Sequence, residues 1–380
     1  MPSAAPSPAP GYLTPFAAAD LGQRGRAGMQ VLGSIQVAAY HLLRSAARRT
    51  FDGSEAGRAL AQEHRIGGDA KTVLTRVKAA TGLAETDPMF RLERFLQRYV
   101  AEENWNRGIT AVEEKRDAFS SFLEAATPVE GCGSLELDDT VDIPAFYGKV
   151  DFHLQPGGWD GYDLYGPVLS HAIYPHVFAR GGFASMPATT SAPSYRARLI
   201  EMLPKARYDR IYDVGCGSGS MTRWIHQRFP QAELVACDLS GVQLKAGHAI
   251  ASRAGAPIHF KQRDARDTRE PSDSFDLVVY NAVAHEMPVT ANLKAFREMF
   301  RILKPGGDIL VMDPPPLRLV DPFQAVLLNW ETRHREEPFF SSALLADWEA
   351  ELAAIGFTDL HQTVLQDAFP WVLIASKPAA

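Results

Sequence analysis

The 380-residue chain carries 39 Lys and Arg against 45 Asp and Glu, a formal net charge of −6, and 46% of it is hydrophobic. This composition supplies a sizeable folded core and excludes a collagen-like or wholly disordered chain, while the acidic balance argues against a dedicated nucleic-acid binder. Cys132, Cys216 and Cys237 lie far apart with no Cys-x-x-Cys pair, which excludes a disulfide scaffold or a cysteine zinc site, and no run of eighteen apolar residues is available to span a membrane.

Residues 1–19 are rich in Pro, Ala and Ser and read as a disordered tail; they lack the basic and apolar regions of a signal peptide, so a reducing cytoplasm is the expected location. Residues 20–150 read as a mainly helical N-terminal domain. Met29, Leu32, Ile35, Ala39, Leu42 and Ala46 recur at three- and four-residue steps, and Val73, Leu74, Val77 and Ala80 repeat the pattern. Asp87-Pro88 predicts a helix start, with Asp as N-cap and Pro in the first turn. The arginines of 21–51 read either as a contact for a membrane surface or nucleic acid or, for Arg44, Arg48 and Arg49, as the last turn of a helix complementing its dipole, and the Gly/Asp-rich run from Glu130 to Asp142 reads as a linker. Residues 151–195 interleave aromatics and three histidines with Gly and Pro, the pattern of a connector or of a cover over a pocket.

From Tyr208 the chain alternates strand and helix. Beta-rich runs occur at 210–214, 232–238, 257–262, 275–281 and 308–313, the signature of a parallel, doubly wound sheet. A helix near 341–355 is followed by strands at 357–365 and 371–377, which a short Pro-containing turn must make antiparallel.

Asp213-Val-Gly215-Cys-Gly217-Ser-Gly219 joins the first of these strands to a helix, and its alternate glycines let the backbone turn sharply and approach a ligand. Asp238 ends the next strand, where a carboxylate can accept both hydroxyls of a ribose. Asp264-Ala265 follows the third strand, Asn281 ends the fourth, and Leu303-Lys-Pro-Gly-Gly307 leads into the fifth. In this order the landmarks resemble the class I S-adenosylmethionine-dependent methyltransferases over roughly residues 196–380. The resemblance implies a Rossmann-like seven-stranded sheet of order 3-2-1-4-5-7-6 with S-adenosylmethionine as cofactor. It further implies that Asp213, Gly215, Gly217 and Gly219 approach the methionine part, that Asp238 with Leu239 takes the ribose, that Asp264 and Ala265 border the adenine, and that Asn281 lies near the reactive centre.

Methyl transfer from a sulfonium is an in-line displacement that needs alignment first, and a base only if the acceptor must lose a proton. His285, just beyond the fourth strand, is the first candidate for a base or acceptor-orienting group; its neighbour Glu286 is not expected to converge on it. His153 is the second catalytic candidate, and Trp159, Tyr162 and Tyr165 are candidates for an acceptor pocket. His153, His171 and His176 show neither a His-Glu-x-x-His motif nor an i,i+4 pair, so no metal site is expected. Asp313-Pro-Pro-Pro316 reads as a stiff exit from the fifth strand. The expected activity is methylation of a small-molecule acceptor, on oxygen, with no nucleic-acid partner and with the helical domain as dimerisation surface, lid or pocket wall; a homodimer is compatible with it. The alternatives are methylation of protein or RNA, or cofactor binding without methyl transfer.

Overall fold

A computed structural model describes residues 20–65, 68–124, 133–181, 192–365 and 369–379 of the chain; the expected tail at 1–19, Cys132 and residues 182–191 of the expected cover lie outside the described residues. Eight strands form one sheet: β1 (Gly133–Glu136), β2 (Arg210–Val214), β3 (Glu233–Asp238), β4 (Ile258–Gln262), β5 (Phe275–Asn281), β6 (Leu303–Asp313), β7 (Thr358–Val364) and β8 (Trp371–Ser376). Their order is β1-β4-β3-β2-β5-β6-β8-β7. All neighbours from β1 to β6 are parallel, and β8 runs antiparallel to both β6 and β7.

The central strands are apolar on both faces because helices cover both. Tyr212, Val278, Tyr280 and Val311 join Phe296, Trp348 and Trp371 on one side, while Ile211, Leu277, Val279 and Leu310 join Met221, Ile225 and Leu244 on the other. Without β1 the order is the expected seven-stranded one. β1 corrects the reading of 130–142 as a linker: Gly133–Glu136 pairs with Ile258–Lys261 at the sheet edge. Its residues alternate half-buried and exposed, so no hydrophobic run announced it. The helix expected at 341–355 is two, Phe340–Leu345 and Trp348–Ile355, the second capped by Asp347 accepting from the Ala350 N–H at 3.4 Å.

The N-terminal part is helical as its periodicity implies. Asp87 caps the long helix Pro88–Glu113, its carboxylate accepting from the Met89 N–H at 2.7 Å, with Pro88 in the first turn. The π-type helix Val168–Phe178 packs on this helix and on Gln23–Ala38 through Leu32, Trp105, Val168 and Ile173. Helix Pro322–His334, inserted between β6 and β7, packs Phe323 against Phe51 and Phe90. The helical region is therefore sewn to the sheet from two places, and it roofs the edge where the parallel strands end.

The arginine-rich stretch does not end a helix. The helical path continues through Ala39–Arg44 into Ser45–Gly53, and Arg44 turns inward to the buried Glu93, with Nη2 at 2.8 Å and Nε at 2.9 Å from Oε1. Arg94 Nε donates to Oε2 of the same carboxylate at 2.5 Å and Gln97 Nε2 to Oε1 at 3.1 Å. Burial pushes the Glu93 carboxyl up, but the two guanidiniums outweigh it and hold it below its ordinary value. Truncating one member of such a cluster strands the others without a counter-charge. Glu93→Ala is expected to lose about 3–5 kcal/mol of stability in urea unfolding, and a loss under about 1 kcal/mol would show that the cluster is not sealed from water.

Candidate active site

β2, β3, β5 and β6 end side by side, and their loops floor a cavity of about 300 Å³. At one end it is lined by Gly215, Cys216, Gly217, Ser218, Asp238, Leu239, Gln243, Asp264, Ala265 and Asn281. The loop is held in shape from beneath. Asp238 Oδ2 accepts from the Gly217 N–H at 2.8 Å and Oδ1 from the Ser240 N–H at 2.9 Å, and the Cys216 N–H donates to the Cys237 carbonyl at 2.9 Å. Gly215 has φ +68°, and a β-carbon there would lie 2.4 Å from Val283 Cγ2, so both conformation and space demand glycine.

Three buried polar atoms on this cavity, Asn281 Oδ1, Gln243 Nε2 and Asn104 Oδ1, have no protein hydrogen-bond partner among the described residues. Buried polar groups left open in this way are matched by a ligand or water. Arg196, on the helix Ala192–Glu201, adds a positive charge to the same wall.

Two of the expected loop residues do not reach the cavity. Asp213 is buried below the loop and accepts from Thr222 Oγ1 at 2.5 Å, tying the strand to the following helix; burial raises its carboxyl to about 7. Gly219 packs over the Phe260 ring with φ +70° and ends the turn into that helix. Asp238 itself is raised to about 6 by burial, against the pull of its two backbone donors.

The other end of the cavity is walled by Trp105, Phe146, Trp159, Leu169, Ile173 and Phe340, mostly from the helical cover. His285 sits here, 6% exposed, its Nδ1 bonded to Asp313 Oδ1 and its backbone N–H donating to Asp313 Oδ2 at 3.1 Å. Asp313 is therefore more than the start of a stiff exit: the last residue of β6 fixes the imidazole of the loop beyond β5. Burial would lower the His285 pKa, but the Asp313 charge overrides it and raises it to about 9.

His153 arrives from the other side on a short turn, Phe152–Leu154, with φ +58°. Its Nε2 lies 3.2 Å from Glu286 Oε1 and its Nδ1 is paired with the buried Glu337. Burial lowers its pKa, and Glu337 followed by Glu286 outweighs this and raises it to about 10. Glu286 does converge on the cluster, contrary to expectation, lying 3.8 Å from His285 Nε2 and accepting from Trp159 Nε1 at 3.0 Å.

Tyr162 and Tyr165 do not line the cavity. Tyr162 donates to Glu113 Oε1 at 2.7 Å, and the buried Tyr165 donates to the Pro156 carbonyl at 2.5 Å. Asp160 accepts from Tyr147 Oη at 3.0 Å and Ser240 Oγ at 2.8 Å, bracing the cover against the sheet. His171 packs on Phe119 away from the cluster. Sequence reasoning missed the roles of Asp313, Glu286 and Glu337; for Asp313, an acidic residue at the carboxyl end of a parallel strand was the available signal.

A profile of a methyltransferase domain matches residues 211–307. A malonyl-[acyl-carrier protein] O-methyltransferase of a Paenibacillus species is 29% identical over 41% of this chain and 58% of its own length. A trans-aconitate 2-methyltransferase of Deinococcus radiodurans is 30% identical over 46% of this chain and 67% of its own length. The chain thus spans less than two thirds of the first of these relatives. Among solved structures, the N-methyltransferase NodS of Bradyrhizobium japonicum in complex with S-adenosylhomocysteine aligns with a TM-score of 0.37 and 16% identity, over 49% of this chain and 87% of that one.

The chain belongs to the class I S-adenosylmethionine-dependent methyltransferase family. Its cofactor is S-adenosylmethionine. Among the described residues no helix is long and apolar enough to cross a membrane.

Gly215→Ala is expected to cost at least about 1–3 kcal/mol of stability from the left-handed backbone alone, with the Val283 clash added. Denaturant unfolding of the variant checks this, and unchanged stability would mean that the loop relaxes freely.

Proposed function

We propose that this chain transfers the methyl group of S-adenosylmethionine to an oxygen of a small acceptor held under the helical cover. The observation that supports this reading is the continuity of one cavity, from the glycine loop and Asp238 to the enclosed wall of His153, Trp159, His285 and Phe340. In the assignment by family likeness, Asp238 takes the ribose hydroxyls, Asp264 and Ala265 border the adenine, Gly215 and Gly217 admit the methionine part, and Asn281 faces the reactive centre. The apolar wall fits a compact acceptor and excludes water. The malonyl group and the aconitate named for two relatives each carry a free carboxylate, and acceptors with a carboxylate are the class to test first.

His285 serves as the acceptor-orienting group. Asp313 occupies its Nδ1 and fixes the ring, which leaves Nε2 as the atom directed toward the acceptor end. Alignment of this kind can contribute about 7–11 kcal/mol to the displacement without a covalent intermediate.

Calorimetry with S-adenosylhomocysteine tests the cofactor half. Asp238→Ala is expected to weaken binding about ten- to a hundredfold. Because the free carboxyl titrates near 6 and only its ionised form accepts both hydroxyls well, wild-type affinity is expected to be steady above that pH and to fall as pH drops through it. A flat pH profile together with an unaffected variant would remove the ribose assignment.

Mass spectrometry of methylated products from a panel of di- and tricarboxylic acids, phenols and quinols tests the acceptor half. His285→Ala is expected to lower turnover while S-adenosylhomocysteine affinity stays nearly unchanged, and equal activity would sink its role.

A further inference from the structure

We propose that His153, His285 and Glu286 form a binding site for one divalent first-row transition-metal ion at the acceptor end of the cavity. His153 Nε2 and His285 Nε2 lie 3.2 and 3.8 Å from the same Glu286 Oε1, and the three ligand atoms all fall within 4.8 Å of one another. Metal–ligand bonds of about 2.0–2.2 Å separate neighbouring ligands by about 3–3.5 Å, so the set needs only a slight inward shift to close on an ion.

The surrounding shell argues for a metal more strongly than the spacing does. A metal-binding histidine offers one ring nitrogen to the ion and bonds the other to a carboxylate, which fixes the ring and raises its basicity. Here both histidines are arranged so: Asp313 holds Nδ1 of His285 and Glu337 holds Nδ1 of His153, while Trp159 Nε1 steadies the second oxygen of Glu286 at 3.0 Å. Asp313 and Glu337 are each 2% exposed. With a carboxylate on the far nitrogen of each ring, both Nε2 atoms are left facing one further carboxylate oxygen, the arrangement that a shared ion would close. The turn that delivers His153 places two consecutive non-glycine residues, His153 and Leu154, at φ +58° and +63°. Such backbone is retained where the surroundings enforce it.

Two imidazoles and one carboxylate suit iron(II), zinc and their neighbours better than magnesium or calcium, which prefer all-oxygen sets. All three side chains line the cavity, so the remaining coordination positions open onto the space assigned to the acceptor. An acceptor oxygen bound there would be polarised by a Lewis acid and held at a fixed point relative to the methyl donor. This role rests on the proposed function, whereas metal binding itself does not.

The test is titration of the metal-stripped full-length chain with zinc alone, with no cofactor or acceptor, alongside the visible spectrum of its cobalt(II) complex. The expected results are one ion per chain, cobalt bands of low-coordinate nitrogen/oxygen ligation, affinity at least a hundredfold weaker in His153→Ala and Glu286→Gln, and about ten- to a hundredfold weaker in Asp313→Asn. Absence of stoichiometric zinc binding, or equal affinity in all three variants, would overturn the proposal. The wild-type cobalt spectrum needs no substitution, so a variant that fails to fold leaves a decisive measurement: a spectrum unchanged from free cobalt also overturns it. S-adenosylhomocysteine binding by the same metal-stripped protein separates the two failures, because a chain that binds cofactor and no metal keeps the proposed function and loses only this site.

Discussion

Parallel pairing of β3, β2, β5 and β6 forces the ends of four strands onto one edge of the sheet, and the functional end of the molecule follows from that constraint. Strands that run the same way deliver their last residues to the same side, so Val214, Asp238, Asn281 and Asp313 become neighbours although a hundred residues of chain separate the first from the last. The loops leaving these ends carry the glycine turn, the helix start at Ser240 and His285. Three of the four strand ends are polar, which a sheet with both faces buried permits only where the strand emerges from the core.

The helical region turns this edge into a closed chamber. Helix Pro88–Glu113 and the π-type helix Val168–Phe178 bring Trp105, Leu169 and Ile173 across it, and the insertion after β6 brings Phe340. Closing the chamber also buries charge. Arg44 and Arg94 pair with the buried Glu93, and within the chamber His153 faces Glu286 and Glu337 while His285 faces Asp313, so each of these side chains meets a partner of opposite type. The result is two dissimilar ends in one cavity. One offers backbone amides, a carboxylate and open side-chain amides suited to a nucleoside, and the other combines apolar rings with two imidazoles locked by carboxylates.

Much of the sheet was legible from residue pattern. Apolar runs such as 275–281 and 308–313 identify strands buried on both faces, and the glycines of 215–219 identify the turn because few other sequences satisfy positive φ beside a close neighbour. Asp87-Pro88 marked its helix start for the same local reason. β1 escaped because four residues at a sheet edge, half of them exposed, carry no periodic signal. Tyr162 and Tyr165 were misplaced because aromatic content alone does not say which face of a segment meets a cavity and which meets Glu113 or Pro156.

What the sequence determined by itself was therefore the local and the periodic: the alternation that builds the sheet, the loop after β2, the carboxylate that ends β3 and the family these define. The tertiary structure alone decided the acceptor end. His153 and Glu337 reach His285, Glu286 and Asp313 from segments remote in the chain, through the docking of a helical cover onto a sheet edge. No spacing in the sequence encodes that meeting, because it is set by how two separately patterned layers pack, and a side chain's partner across such an interface is fixed by geometry that exists only after folding.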